Sequence, residues 1–288
     1  MQPLSKVALY AGALMSLAVI TAACDSQEDH PQVTFLISVG NQLQMLSNSG
    51  ERLGSFGFRG YMPNWTSGGN SFVFVGDNGL MAHKLGAPFP RSIVSDHVFA
   101  ERPFALVDGS ILFQDCPTCE VSVRFSIAFY DAARDEVRYL TSTESSDRSP
   151  VADDTRGLVY YLSDRDNLGG SQVYRMSLSG SEPVRISSRR QSTGGALAIS
   201  RGLLAYDDHD MVRILDLATE ELVDSLSFPA GHSSRGSLSF SPTGDSLCVV
   251  TISTSDAASH VIVYDLATKS AHELMTSPNQ VSVSWRPR

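Results

Sequence analysis

Lysine, cysteine and helical periodicity are all scarce in this 288-residue chain, and each scarcity removes a class of protein. Lys6, Lys84 and Lys269 are the only lysines among 22 basic residues, which face 31 acidic ones for a formal net charge of −9. A surface that neutralises a run of phosphates is not expected from that balance, so nucleic acid is set aside as a partner. Four cysteines are too few for a disulfide-built scaffold. Charged residues make up 18% and hydrophobic residues 42%, which excludes a disordered chain and calls for a packed core. Past residue 23 no stretch shows a capped 3.6-residue apolar period, so helices should be nearly absent.

The one long apolar run is Val7–Ala23, preceded by Lys6 and ending Thr21-Ala22-Ala23-Cys24. A positive start, an apolar middle and small residues before a cut read as an export signal over residues 1–23. Cys24 directly after Ala-Ala resembles the lipobox of bacterial lipoproteins, with Thr21 in place of the usual Leu. The resemblance implies that Cys24 is lipidated and holds the protein to a membrane by acyl chains alone. Asp25 resembles an inner-membrane retention signal. Soluble periplasmic export and an uncleaved anchor are the alternatives. Polar residues 25–32 read as a tether that reaches at most about 28 Å.

A period near 44 residues organises residues 33–288. Its unit is an alternating strand, a tight turn ending in Gly, then a β-rich strand, as in Trp65-Thr66-Ser67-Gly68-Gly69 before Phe72-Val73-Phe74. It returns at Phe240-Ser241-Pro242-Thr243-Gly244, with weaker copies ending at Gly109, Gly157 and Gly202. Gly suits such a turn because it enters positive φ without a Cβ penalty. Two further strand-like runs follow each copy, and four short strands per repeat make the blade of a β-propeller. Five full units run over about 57–95, 98–142, 146–187, 191–229 and 232–276. A C-terminal strand at about 280–287 and three N-terminal strands within about 34–56 are left to complete one more blade. The expectation is an all-β, six-bladed propeller closed by joining the two termini, which leaves no long unpaired edge.

Ser163-Asp164-Arg165-Asp166, Gln172-Val173-Tyr174-Arg175-Met176 and Glu182-Pro183-Val184-Arg185-Ile186 resemble the TolB-type, WD-repeat-like propeller repeat. Phe240-Ser241-Pro242-Thr243-Gly244 is similar to that family's W-S-P-D-G turn, with Thr243 replacing Asp. The resemblance covers about residues 57–288. It implies a periplasmic binding or scaffold role, in a family that also includes propeller halves of peptidases and a few lyases. The N-terminal α/β domain of TolB itself has no counterpart here.

Candidate chemistry is sparse. Cys116-Pro117-Thr118-Cys119 between two strands could be a redox pair, half a zinc site or a local disulfide. Both flanks are strands and no second C-x-x-C exists, so an oxidised loop staple is expected. Cys248 lies inside an apolar strand and reads as core. Gly231-His232-Ser233-Ser234-Arg235-Gly236 breaks the G-x-S-x-G pattern at Arg235. Asp207-Asp208-His209-Asp210 reads as a polar hairpin turn rather than a cation loop. Asn64-Trp65-Thr66 matches a glycosylation sequon but falls in a strand.

On the face shared by the second-to-third-strand loops and the inter-blade loops, arginines recur at Arg59, Arg102, Arg148, Arg189, Arg190 and Arg235. They are expected to ring the channel mouth, with Asp77, Asp115, Asp164, Asp166, Asp207, Asp210 and Asp256 further out. Such a ring either binds an anion through its forks or pairs with those aspartates. The expected protein is a monomer without cofactor or metal, binding an envelope protein or a small anionic ligand at this loop face. One alternative is an enzyme, a lyase or glycan-acting, with His97, Arg148 and His232 converging at the mouth. Another is a structural lipoprotein. A deep polar mouth with inward Arg and His would favour the enzyme, and exposed aromatic or aliphatic side chains would favour the binding module.

Overall fold

The computed structural model describes residues 33–287, apart from 96, 98, 167–169, 188–194 and 209. The expected export signal, Cys24, Asp25 and the tether lie outside the described residues, as do Arg189, Arg190 and His209. All regular elements described are strands, arranged as six four-stranded antiparallel sheets. From the channel outwards, blade one holds Val281–Trp285, Phe35–Val39, Gln42–Leu46 and Arg52–Arg59. Blade two holds Tyr61–Trp65, Ser71–Gly76, Gly79–Lys84 and Arg91–Val94. Blade three holds Glu101–Ala105, Ile111–Asp115, Ser126–Asp131 and Glu136–Tyr139. Blade four holds Asp147–Asp153, Leu158–Ser163, Gln172–Ser177 and Val184–Arg185. Blade five holds Leu197–Ser200, Leu203–Asp208, Met211–Asp216 and Leu222–Ser227. Blade six holds His232–Phe240, Ser246–Ser253, Ser259–Asp265 and Ala271–Ser277.

The termini close the ring as the repeat arithmetic predicts, with Phe35 opposite Trp285 and Val39 opposite Val281. The rings of Phe35 and Trp285 meet at 4.5 Å. The turn glycines Gly69, Gly109, Gly157, Gly202 and Gly244 all take positive φ, between 63° and 87°. They define the lower face, where each inner strand turns into the second strand of its blade. The second-to-third-strand turns and the inter-blade connections make the upper face.

The core is six wedges, one between each pair of adjacent blades. Second strands supply both sides, because alternate side chains leave a strand in opposite directions. Phe72 and Phe74 enter the wedge with blade one, whereas Val73 and Val75 enter the wedge with blade three. Leu247 and Val249 face blade five, while Cys248 and Val250 face blade one. Burial on both faces is why these strands read as unbroken apolar runs.

Each inner strand pairs on one edge only, so its other edge needs partners from elsewhere. Short polar side chains of the preceding blade supply most of them. Val283 and Trp285 donate their backbone N–H groups to Ser237 and Ser239 Oγ at 3.0 and 2.8 Å. Met62 and Trp65 donate to Ser282 and Ser284 Oγ at 3.0 and 3.2 Å, and Ala105 to Asn64 Oδ1 at 3.0 Å. Ser149 donates its N–H to Gln114 Oε1 at 3.0 Å and its hydroxyl to Gly195 O at 2.8 Å. The Ser234 hydroxyl donates to Asp207, which links blade five to blade six. All six blade interfaces therefore carry such a link.

Ser282 sits at the closing interface, where its Oγ also meets Ser38 Oγ at 2.6 Å. Replacing it with alanine removes the acceptor of the half-buried Met62 N–H. Ser282→Ala should lower stability by about 1–3 kcal/mol in urea unfolding at an unchanged m-value.

Candidate functional site

The inner strands of four blades break register where they approach the upper face. One extra residue is accommodated between Tyr61 and Asn64, between Glu101 and Phe104, and between Arg148 and Val151; two are accommodated between Ser234 and Ser237. In blades two, three and four the bulge is a non-glycine residue at positive φ followed by proline: Met62-Pro63 at 49°, Arg102-Pro103 at 51° and Ser149-Pro150 at 54°. Blade six uses Arg235-Gly236 with Gly236 at 74°. Positive φ at a non-glycine residue is costly, and proline adds a further restriction on the residue before it. These four bulges line a constriction of about 100 Å³ at the upper end of the channel, shared with Asn64, Gln280 and Ser282.

Arg102 occupies that constriction. Its Nη1 crosses to the Gly236 carbonyl at 2.7 Å, from blade three to the opposite blade six. Part of its surface remains open to the channel, and protein encloses the rest. Desolvation lowers its pKa, with Asp207 and Glu101 acting to hold the proton and Arg148 repelling it. Asp207 is fully buried and pushed upward, mainly by burial, although Ser234 and the Ala196 N–H stabilise its charge. Glu101 accepts from Gln114 Nε2 at 3.0 Å.

The other expected arginines separate. Arg59 ends the outer strand of blade one opposite Gln42, exposed and away from the channel, which corrects its place in the expected ring. Counting back from the aromatic slot could not detect that it ends the previous blade. Arg148 lays its guanidinium over the Phe125 ring, 5.3 Å from the centroid, and donates through Nε to Ser146 Oγ at 2.9 Å. Arg235 lines the constriction and is exposed.

His97, Arg148 and His232 make no contact with one another among the described residues. His97 Nδ1 lies 2.5 Å from the buried Asp115 carboxylate, to which the Tyr139 hydroxyl also donates at 2.6 Å. This clamp pins an inter-blade loop to blade three. His232 lies across the ring in blade six, with Nδ1 at 2.9 Å from Thr251 Oγ1 and its ring 4.7 Å from that of His260. Sequence reasoning passed over His260, whose Nδ1 meets Glu273 at 2.8 Å and whose Nε2 meets Asp256 at 3.5 Å.

Cys116 and Cys119 are joined by a disulfide at the start of the upper loop of blade three, and Cys248 is a buried free thiol. Asp207 and Asp208 leave their strand on opposite sides, Asp207 toward the channel and Asp208 to Arg213 at 2.5 Å. Among the described residues no group of three metal-ligating side chains assembles. The wider opening lies on the lower face, a funnel of about 550 Å³ bordered by Trp65, Phe104, Phe240 and Trp285. Trp65, Phe240 and Trp285 hold the same position of the repeat in three adjacent blades.

The architecture is that of a TolB-type six-bladed β-propeller. The chain resembles TolB from Acinetobacter baumannii at 18% identity and TM-score 0.68, covering 89% of this chain and 67% of that one. It resembles a structure titled as a nidogen/laminin complex at 14% identity and TM-score 0.67, covering 88% and 98%. It also resembles oligogalacturonate lyase from Vibrio parahaemolyticus at 11% identity and TM-score 0.56, covering 81% and 70%. No protein-family model matches the sequence, and no curated protein matches it. At these identities the likeness is one of fold.

The His260 cluster sets a pH dependence. Hydrogen bonding to Glu273, and then to Asp256, raises the His260 pKa above 6.5, so its contribution is complete below 6.5 and is lost as pH rises through the folded value. Thr276, then His260, lowers the Glu273 pKa below 4.5, so its contribution is present above 4.5 and lost as pH falls through the folded value. His260→Gln should therefore reduce the urea midpoint most between pH 4.5 and 6.5, and much less at about pH 8.5.

Proposed function

We propose that this protein is an exported, lipid-anchored binding module of the bacterial cell envelope, tethered through Cys24, that grips a protein partner with its upper face. The observation that carries this reading is the surface of blade three. Val121 and Val123 are 92% and 68% exposed on the disulfide-held loop, and Phe99 and Tyr139 from neighbouring segments are 46% and 43% exposed. Aliphatic and aromatic groups displayed on a constrained loop lose little entropy on docking.

Crosslinking pull-down from native envelopes, comparing the wild type with a V121D/V123D double variant, tests this. Both valines are exposed, so the variant should melt within a degree or two of the wild type. Loss of one defined partner from the variant is the expected result. Equal capture by both proteins, or no partner with either, would overturn the reading.

A further inference from the structure

We propose that the upper channel constriction binds one small oxyanion, a carboxylate or phosphate group, between Arg102 and Arg235. This site is separate from the partner-binding surface of blade three, and neither reading depends on the other. The first reason is the backbone. Strained conformations persist where the surrounding structure enforces them, and they concentrate at binding and catalytic sites. Here Met62, Arg102 and Ser149 are all held at positive φ before a proline, and all line the same small cavity as Arg235.

The second reason is the hydrogen-bond inventory. A guanidinium carries five N–H donors and, in a protein, keeps its charge. Arg102 uses Nη1 on the Gly236 carbonyl and forms no direct ion pair among the described residues. The acids that face it are already engaged: Asp207 by Ser234 and the Ala196 N–H, Glu101 by Gln114. Arg102 Nε and Nη2 make no hydrogen bond to another described residue, and Arg102 lines a cavity with room for the oxygens of one anion but not for a bulky ligand. Arg235, exposed and without a partner among the described residues, supplies a second fork from the upper side. Arg148 opposes the Arg102 charge, and Asp207 and Glu101 favour it. Paired forks suit an oxyanion, and charge-assisted bonds strengthen where water is sparse.

Isothermal titration calorimetry of the purified full chain, at constant ionic strength set with sodium chloride, tests the site with inorganic phosphate in one arm and acetate in the other. Saturable one-to-one binding of at least one ion is expected, and the preferred arm tells phosphate from carboxylate. Arg235→Gln should weaken that binding about tenfold. Arg102→Lys should weaken it further, because a lysine keeps the charge but loses the fork. Arg102 also braces the ring, so the exposed Arg235 variant decides the question should the Arg102 variant fold poorly. The V121D/V123D protein should bind the ion as the wild type does. No heat above the chloride control in either arm, or binding unchanged in Arg235→Gln, would overturn the proposal.

Discussion

The inner edge of each blade is the constraint on which the rest of this propeller depends. A strand beside the channel pairs outward with its own sheet and has no strand on the other side, yet its N–H groups cannot be left bare in a closed ring. The sequence meets this by alternation. In Val281-Ser282-Val283-Ser284-Trp285, the valines enter the wedge with blade six and the serines receive N–H groups from blade two. Ser237-Leu238-Ser239-Phe240 repeats the scheme one blade earlier, with leucine and phenylalanine in the wedge with blade five and the serines serving blade one. One face of the strand fills a core and the other binds the next strand, so a single period-2 pattern performs both tasks.

That use of polar side chains limits what the channel can offer. Asn64, Ser149, Ser237 and Ser282 line the constriction, and Gln114 and Asp207 belong to second strands, but each has a ring-closing bond to make. Groups left over for chemistry must come from positions outside the alternation. The bulges provide them, because an extra residue in the inner strand takes a side chain out of the two-face pattern and aims it elsewhere. Arg102 and Arg235 are bulge residues, and both line the constriction together with the residues that follow them in their strands.

The fold was legible because its signals are local and repeat. Turn glycines at a near-constant spacing, apolar second strands, one unmatched strand at the C-terminus and three at the N-terminus were enough to derive six blades and a ring closed by joining the termini. A second repeating signal went unread. Asp131, Asp216 and Asp265 cap the lower turns of blades three, five and six by accepting N–H groups two or three residues on, with Asp135, Glu220 and Lys269 at positive φ. The site was far less legible, because bulges change register without marking the sequence. Arg148 and Arg235 lie five residues before the aromatic slot and Arg59 six, yet they end over Phe125, at the rim and on an outer strand. His260 escaped notice because its two acidic partners come from a loop and from the next strand, which no linear spacing brings together.

The two ends of the channel are built to different specifications. Below, Trp65, Phe240 and Trp285 from three neighbouring blades face a funnel of about 550 Å³, beside the point where the chain enters at Val33. Above, the bulges narrow the passage to about 100 Å³, and Arg102 spans it from blade three to blade six. The Arg102 guanidinium reaches across the upper constriction to the Gly236 carbonyl, whereas the lower funnel is bordered by aromatic rings. The guanidinium also couples opposite blades, because the Gly236 carbonyl that receives Arg102 lies two residues from Ser234, the partner of Asp207. The stapled loop of blade three and the constriction that holds Arg102 occupy separate parts of the upper face.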